Sequence, residues 1–248
     1  MKWVTRAVAV VIILLVLAAA IYWGIRDRGQ PSLDAGVWNK DRAFIIAMEA
    51  LKSTDWKSRE GFCSTQTCEP VHQIYGDFVH TTEDGREKRI LATTSIEAGS
   101  DCHACGPEVS LFEFESGPDG WMLTDSDVGI VRWGQWGKLA AGELQVLPLG
   151  KSVYGVRLDG ASTAQGVTVG DTSIYARING DYRQVFMIQT SELEEGSDTS
   201  WKSTVGLQPG TGEFLDILVE RMGNREGSTF TERELFRFNG QAYEAVGQ

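Results

Sequence analysis

The side chains best placed by type and spacing to do chemistry are four cysteines, in two close pairs. Cys63 and Cys68 form a C-x₄-C pair, and Cys102 and Cys105 form a C-x₂-C pair. The count is even, and all four lie C-terminal to an apolar segment that reads as an export signal, which points to disulfides. Three pairings are open. Local pairing closes short loops worth about 2 kcal/mol each, whereas cross-pairing closes loops of about 40 residues worth about 4 kcal/mol. Proximity and ease of formation favour the local pairs. Three sharper chemistries compete with a plain staple. Cys102-His103-Ala104-Cys105 has the spacing of a redox pair, but thiol exchange of the thioredoxin kind needs that motif at a helix N-terminus. Here Gly106 and Pro107 follow directly, between strand-like runs. A thiolate metal site, joined by His72, His80 or His103, needs free thiols in an oxidising space. Haem attachment needs His after the second cysteine, where Gly106 stands.

Trp133, Gly134, Trp136 and Gly137 form an aromatic, glycine-rich segment. Exposed, Trp133 and Trp136 make a stacking platform for a sugar or a peptide; buried, they plug the end of a sheet. They are the candidate binding residues. Asp125, Asp127 and Gly129 hint at a calcium loop, without the full spacing or the terminal Glu. Gly150-Lys151-Ser152 ends like a phosphate-binding loop, but Gln145 occupies the first required glycine position. No H-E-x-x-H or G-x-S-x-G occurs, and the run Glu192, Glu194, Glu195 reads as a solvated loop. No motif implies a catalytic residue, a metal or a cofactor.

These residues need elements to hold them. Ala7 to Ile25 is a nearly unbroken apolar run of roughly 28 Å as a helix, enough to cross a bilayer. Tyr22 and Trp23 suit the interfacial belt, and Arg26 and Arg28 close it. The competing reading is a cleaved signal peptide ending near Ala18–Ala20, which would leave Ile21, Tyr22 and Trp23 on a new terminus. The expected organisation is a basic tail over 1–6, a transmembrane helix over 7–25, a linker over 26–40 and an exported β-rich domain over 41–248. That domain opens with a short amphipathic helix from Asp41 to Ser53, with Asp41 as N-cap and Phe44, Ala47, Met48 and Leu51 on its apolar face. From Val71 onward apolar and polar residues alternate. Phe112 and Phe114 face a core with Glu113 and Glu115 in water, and Leu144 and Val146, then Tyr154, Val156 and Leu158, repeat the pattern. Asn179-Gly180 and Asn239-Gly240 each predict a tight hairpin, and Asp119-Gly120 a looser one. The fold class is mainly β: an antiparallel meander of roughly ten strands forming a sandwich, bent sheet or barrel.

The stretch Cys102-His103-Ala104-Cys105-Gly106-Pro107, followed by an apolar strand, Gly120-Trp121 and Trp133-Gly134-Gln135-Trp136-Gly137, resembles a group of exported proteobacterial proteins. That resemblance implies an exported β domain and supplies no reaction.

The chain of 248 residues carries a formal net charge of −11. Lys2, Arg6, Arg26 and Arg28 against Asp27 give the first 28 residues +3, so the remainder carries −14. Such a surface repels phosphate backbones and excludes nucleic acid as a partner. The expectation is a single-pass inner-membrane protein whose C-terminal domain lies in the periplasm or outside the cell. The membrane is contacted through the N-terminal helix, and a protein or glycan partner through the domain. A thiol oxidoreductase using Cys102 and Cys105, or a structural subunit of an envelope complex, are the alternatives.

Overall fold

The computed structural model describes residues 37–63, 68–82, 85–100, 102–118, 120–140, 142–151 and 153–247. The apolar run Ala7–Ile25 lies outside the described residues. Among the described residues no helix is long and apolar enough to cross a membrane.

Among the described residues one α-helix, α1 (Lys40–Ser53), precedes twelve antiparallel strands. Its N-cap is Asn39, whose side chain accepts a hydrogen bond from the Arg42 amide at 3.0 Å. Asp41, the expected cap, instead sits in the first turn, where its charge suits the helix dipole. Ala43, Ile46, Ala47 and Leu51 are buried, while the expected Phe44 and Met48 pack at the margin of the same cluster. The buried stripe is thus centred slightly off the expected one.

Strands β1 (Pro70–Thr81), β2 (Glu87–Glu97), β3 (Glu108–Gly117) and β4 (Gly120–Arg132) form a four-stranded meander, the first sheet. The second sheet has eight strands in sequence order: β5 (Leu144–Pro148), β6 (Tyr154–Ala164), β7 (Val167–Ile178), β8 (Asp181–Glu194), β9 (Ser200–Gln208), β10 (Asp216–Arg225), β11 (Ser228–Phe238) and β12 (Tyr243–Ala245). Strand β8 pairs with β9 only from Ser191 to Leu193. The sheet therefore turns a corner there, and β5–β8 faces β9–β12 across a core of Ile174, Ala176, Phe186, Ile217, Val219 and Tyr243. The Leu215 amide donates to the Leu149 carbonyl at 2.6 Å, tying the β9–β10 connection to the β5–β6 connection.

The first sheet is covered on both sides. On one face Leu91, Phe112, Phe114 and Trp121 pack under α1 and Trp56. On the other, Ile90, Ala92, Val109 and Leu111 meet Leu144, Val156 and Leu158 of the second sheet. Alternating side chains of β2 and β3 thus enter two different cores. Buried residues run from Glu108 through Phe114 of β3 without a break.

Turn chemistry separates the Asn-Gly pairs. Asn179 (φ 56°) and Gly180 (φ 95°) form a two-residue hairpin loop with both central residues left-handed, as expected. Asn239-Gly240 is different, because Phe238 pairs with Tyr243 across a four-residue loop. There the Asn239 side chain accepts from the Gln241 and Ala242 amides at 2.9 and 3.0 Å, so its carboxamide organises the turn. Two further tight hairpins, at Gln165-Gly166 and Glu226-Gly227, use the same left-handed geometry without Asn.

Phe112 is fully buried at the helix–sheet interface. Phe112→Ala is expected to lower unfolding free energy by about 3–5 kcal/mol in denaturant titration. A loss below about 1 kcal/mol would mean that the helix layer does not unfold cooperatively with the sheet.

Candidate functional site

The ladder between β3 and β4 ends with Glu108 opposite Arg132, so the segment before β3 and the segment after β4 emerge side by side. The first carries the C-x₂-C pair and the second carries the two candidate tryptophans. Cys102 is bonded to Cys105, and Cys63 to Cys68, both in the local pairing. The Cys102–Cys105 loop is a tight turn with the Cys105 amide on the Cys102 carbonyl at 3.0 Å. It leads into strand β3, not a helix, so the setting for thioredoxin-like activation is missing at this pair.

The two loops interlock through their backbones. The Trp136 amide donates to the Cys102 carbonyl at 3.2 Å, the Gly137 amide to the Cys105 carbonyl at 2.6 Å, and the Trp133 amide to the Pro107 carbonyl at 3.1 Å. Glycines make the approach feasible. A Cβ on Gly106 would lie 2.7 Å from the Trp133 carbonyl oxygen, and one on Gly137 would lie 2.5 Å from that of Ser100. Gln135 and Lys138 exchange backbone hydrogen bonds at 3.1 and 3.0 Å. Trp136 (φ 54°) and Gly137 (φ 70°) form the tip of that tiny hairpin. A left-handed backbone at a bulky L-residue costs roughly 1–2 kcal/mol, and such strain concentrates at sites of function.

The two tryptophans do different things. Trp136 is 55% exposed at the tip, with the His103 ring edge-on to it at 5.2 Å. Trp133 is half-buried and closes the apolar layer between the sheets. Its ring lies over Gly160, where an added Cβ would come within 3.0 Å of it, and its indole N–H donates to the Asp159 carbonyl at 3.3 Å. Beside them opens a cavity of ≈ 310 Å³ lined by His103, Trp133, Gln135, Glu143, Ser162 and Asp171 among others.

A second polar cluster, at the seam between the sheets, departs from the alternation rule. Glu113 is buried, not solvated: its face of β3 is covered by the second sheet. Its carboxylate accepts from Lys88 at 2.5 Å and from the Tyr154 hydroxyl at 2.7 Å. Lys88 also reaches Glu115 at 2.6 Å. Burial alone would lower the Lys88 pKa, but the hydrogen bonds and charges of Glu113 and Glu115 outweigh it and hold the ammonium above its ordinary value. Burial, with Tyr182 and Glu113 alongside, pushes the Tyr154 phenol far above its usual range. Arg177 of β7 crosses to Asp125 and Asp127 of β4. The two carboxylates of the calcium-like motif thus serve an inter-sheet ion pair. Among the described residues no group of three or more His, Cys, Asp or Glu side chains could hold a metal. His80, Lys88, Glu113, Tyr154 and Arg177 line a cavity of ≈ 250 Å³ in this seam.

Removing one member of a buried pair leaves a charge without compensation. Lys88 keeps 19% side-chain exposure and Glu113 11%, so the lower end of the buried-pair range applies. Lys88→Met, which leaves Glu113 without its cation, is expected to cost about 3 kcal/mol in chemical denaturation, and Glu113→Leu less, because Lys88 keeps Glu115; the double variant should cost clearly less than their sum. Additive losses would show that the two groups are not coupled. His80 offers a pH test. Burial drives its imidazole below the ordinary 6.5, with Glu113 opposing and Lys88 reinforcing the shift. The unfolded chain then takes up the proton first, so this contribution to stability is complete above the unfolded value and is lost as pH falls through the folded one. Histidine NMR titration, assigned with His80→Gln, should give a midpoint below 6.5; a midpoint at or above it would contradict the buried environment.

No family model matches the chain, and no curated protein or solved structure matches it either.

Proposed function

We propose that the chain is an exported binding module, held at the membrane by the apolar segment 7–25 and contacting its partner through the Trp136 hairpin. The observation that carries this reading is the conformation of Trp136, a bulky aromatic left exposed at a strained hairpin tip that glycine would occupy without strain. Packing does not require it there, since the ring contributes to none of the three buried cores. A rigid, amphipathic ring in the open is what a contact surface needs. The bridge from Cys102 to Cys105 fixes the carbonyls that hold the hairpin, which reduces the ordering cost on binding. Both bridges suit an oxidising compartment, and the sharply bounded apolar run suits a retained anchor.

Trp136→Gly separates function from stability. It removes the ring together with the backbone strain, so thermal stability should hold or rise, by up to about 1 kcal/mol. Capture of partners by mild crosslinking in intact cells should fall sharply. Undiminished capture by a folded Trp136→Gly protein would reject the hairpin as the contact. A reporter joined after Gln248 that works only in the cytosol would reject the exported address.

A further inference from the structure

The same end of the molecule says more about what the site holds, provided the binding reading above is right. We propose that the cleft beside the Trp136 hairpin takes a neutral linear oligosaccharide of two or more units. The cavity over Trp133 does not stand alone. A second cavity, of ≈ 270 Å³, lies between the two disulfide loops and is lined by Phe62, Cys63, Ser100 and Cys105 among others. Ala104 and Arg132 border both cavities. The two cavities thus adjoin at the Cys102–Cys105 loop, and His103 of the first packs against the Trp136 ring.

The lining chemistry selects among chain-like ligands. An extended peptide would need a free strand edge to pair with. The β6 edge that floors the first cavity runs beyond the end of β5, but its first residues are already engaged, at Asp159 and Ala161. Trp133 donates to the Asp159 carbonyl and Gln135 to the Ala161 carbonyl, both at 3.3 Å, and the Asp159 amide donates to the Glu143 carbonyl at 2.8 Å. A helical peptide would need a continuous apolar groove, whereas His103, Gln135, Glu143, Ser162 and Asp171 interrupt this wall with polar groups. Anionic chains lack a counter-charge. The Arg132 guanidinium is engaged by Glu108 at 2.8 Å and by the carbonyls of Gly61 and Glu60 at 2.9 and 3.1 Å, and Glu143 and Asp171 add negative charge. What remains is an indole, that of Trp133, in the cavity wall beside side chains that exchange hydrogen bonds with hydroxyls, and the exposed Trp136 ring against His103 at its rim, two surfaces suited to the C–H side of a sugar ring. Neutral sugars meet that combination without charge repulsion.

The test applies the full-length protein, in a detergent without a sugar headgroup, to an array of neutral glycans from monosaccharides to octasaccharides, printed beside uronate-rich and sulfated chains. Neutral oligosaccharides should be retained, at least about tenfold above monosaccharides, and Trp136→Gly should lower retention about tenfold with the thermal midpoint preserved. An empty array, retention of anionic chains alone, or retention unaffected by Trp136→Gly would overturn the proposal. If the array is empty while cellular crosslinking still depends on Trp136, the glycan assignment fails and the binding module survives. If crosslinking loses that dependence as well, both fall.

Discussion

Strands β2 and β3 are covered on both faces over most of their length. A helix and its following turn cover one side, and the second sheet covers the other, so alternate residues along each strand feed separate cores. Leu91 goes one way, and Ile90 and Ala92 go the other. A strand buried on both faces must still carry any polar residue it contains, and β3 contains Glu108, Ser110 and Glu113. Each is satisfied by a partner from another element. Arg132 and Arg59 reach Glu108, the Gly129 amide reaches Ser110, and Lys88 with Tyr154 reaches Glu113. Desolvated polar groups are costly without such partners. The two-sided burial of β3 therefore fixes how the first sheet lies against the second, because Tyr154 and Arg177 belong to the second sheet while Glu113, Asp125 and Asp127 belong to the first.

Much of this is legible along the chain. The alternation of Leu144 and Val146, and of Tyr154, Val156 and Leu158, does mark strands, and Asn179-Gly180 does mark a tight turn. Local signals suffice because each depends on only a few adjacent residues. Glu113 is not legible. Period-two alternation says which residues share a face, but not whether a distant strand covers the second face. The seam cluster draws on strands of both sheets, from His80 to Tyr182, so no window of sequence contains it. The Asn239 turn fails for a subtler reason. Asn-Gly favours positive φ at both residues, but Asn can also use its carboxamide to accept two amides of a longer loop, and the length of that loop is set by where β12 must pair. For the site itself, the segments holding Cys102, Cys105, Trp133 and Trp136 stand out by composition. Their interlock does not, since it comes from the register of Glu108 opposite Arg132.

That register also explains how the two loops of the site are held together. The β3–β4 ladder runs directly into it, because the Trp133 amide on the Pro107 carbonyl continues the pairing one step past Glu108 and Arg132. The disulfide then turns the first segment back so that two of its carbonyls meet the hairpin tip. A strained Trp136 persists only if its surroundings over-determine it. The Trp136 and Gly137 amides on the cysteine carbonyls, the bridge between Gln135 and Lys138, and the close packing at Gly106 and Gly137 supply that constraint. Trp133 anchors the base of the hairpin in the same apolar layer that joins the two sheets. The exposed ring is thus connected through Trp133 to the contact surface that holds the domain together. A ligand stacking on Trp136 would meet a ring already held in place, and its binding energy would not be spent on ordering a loop.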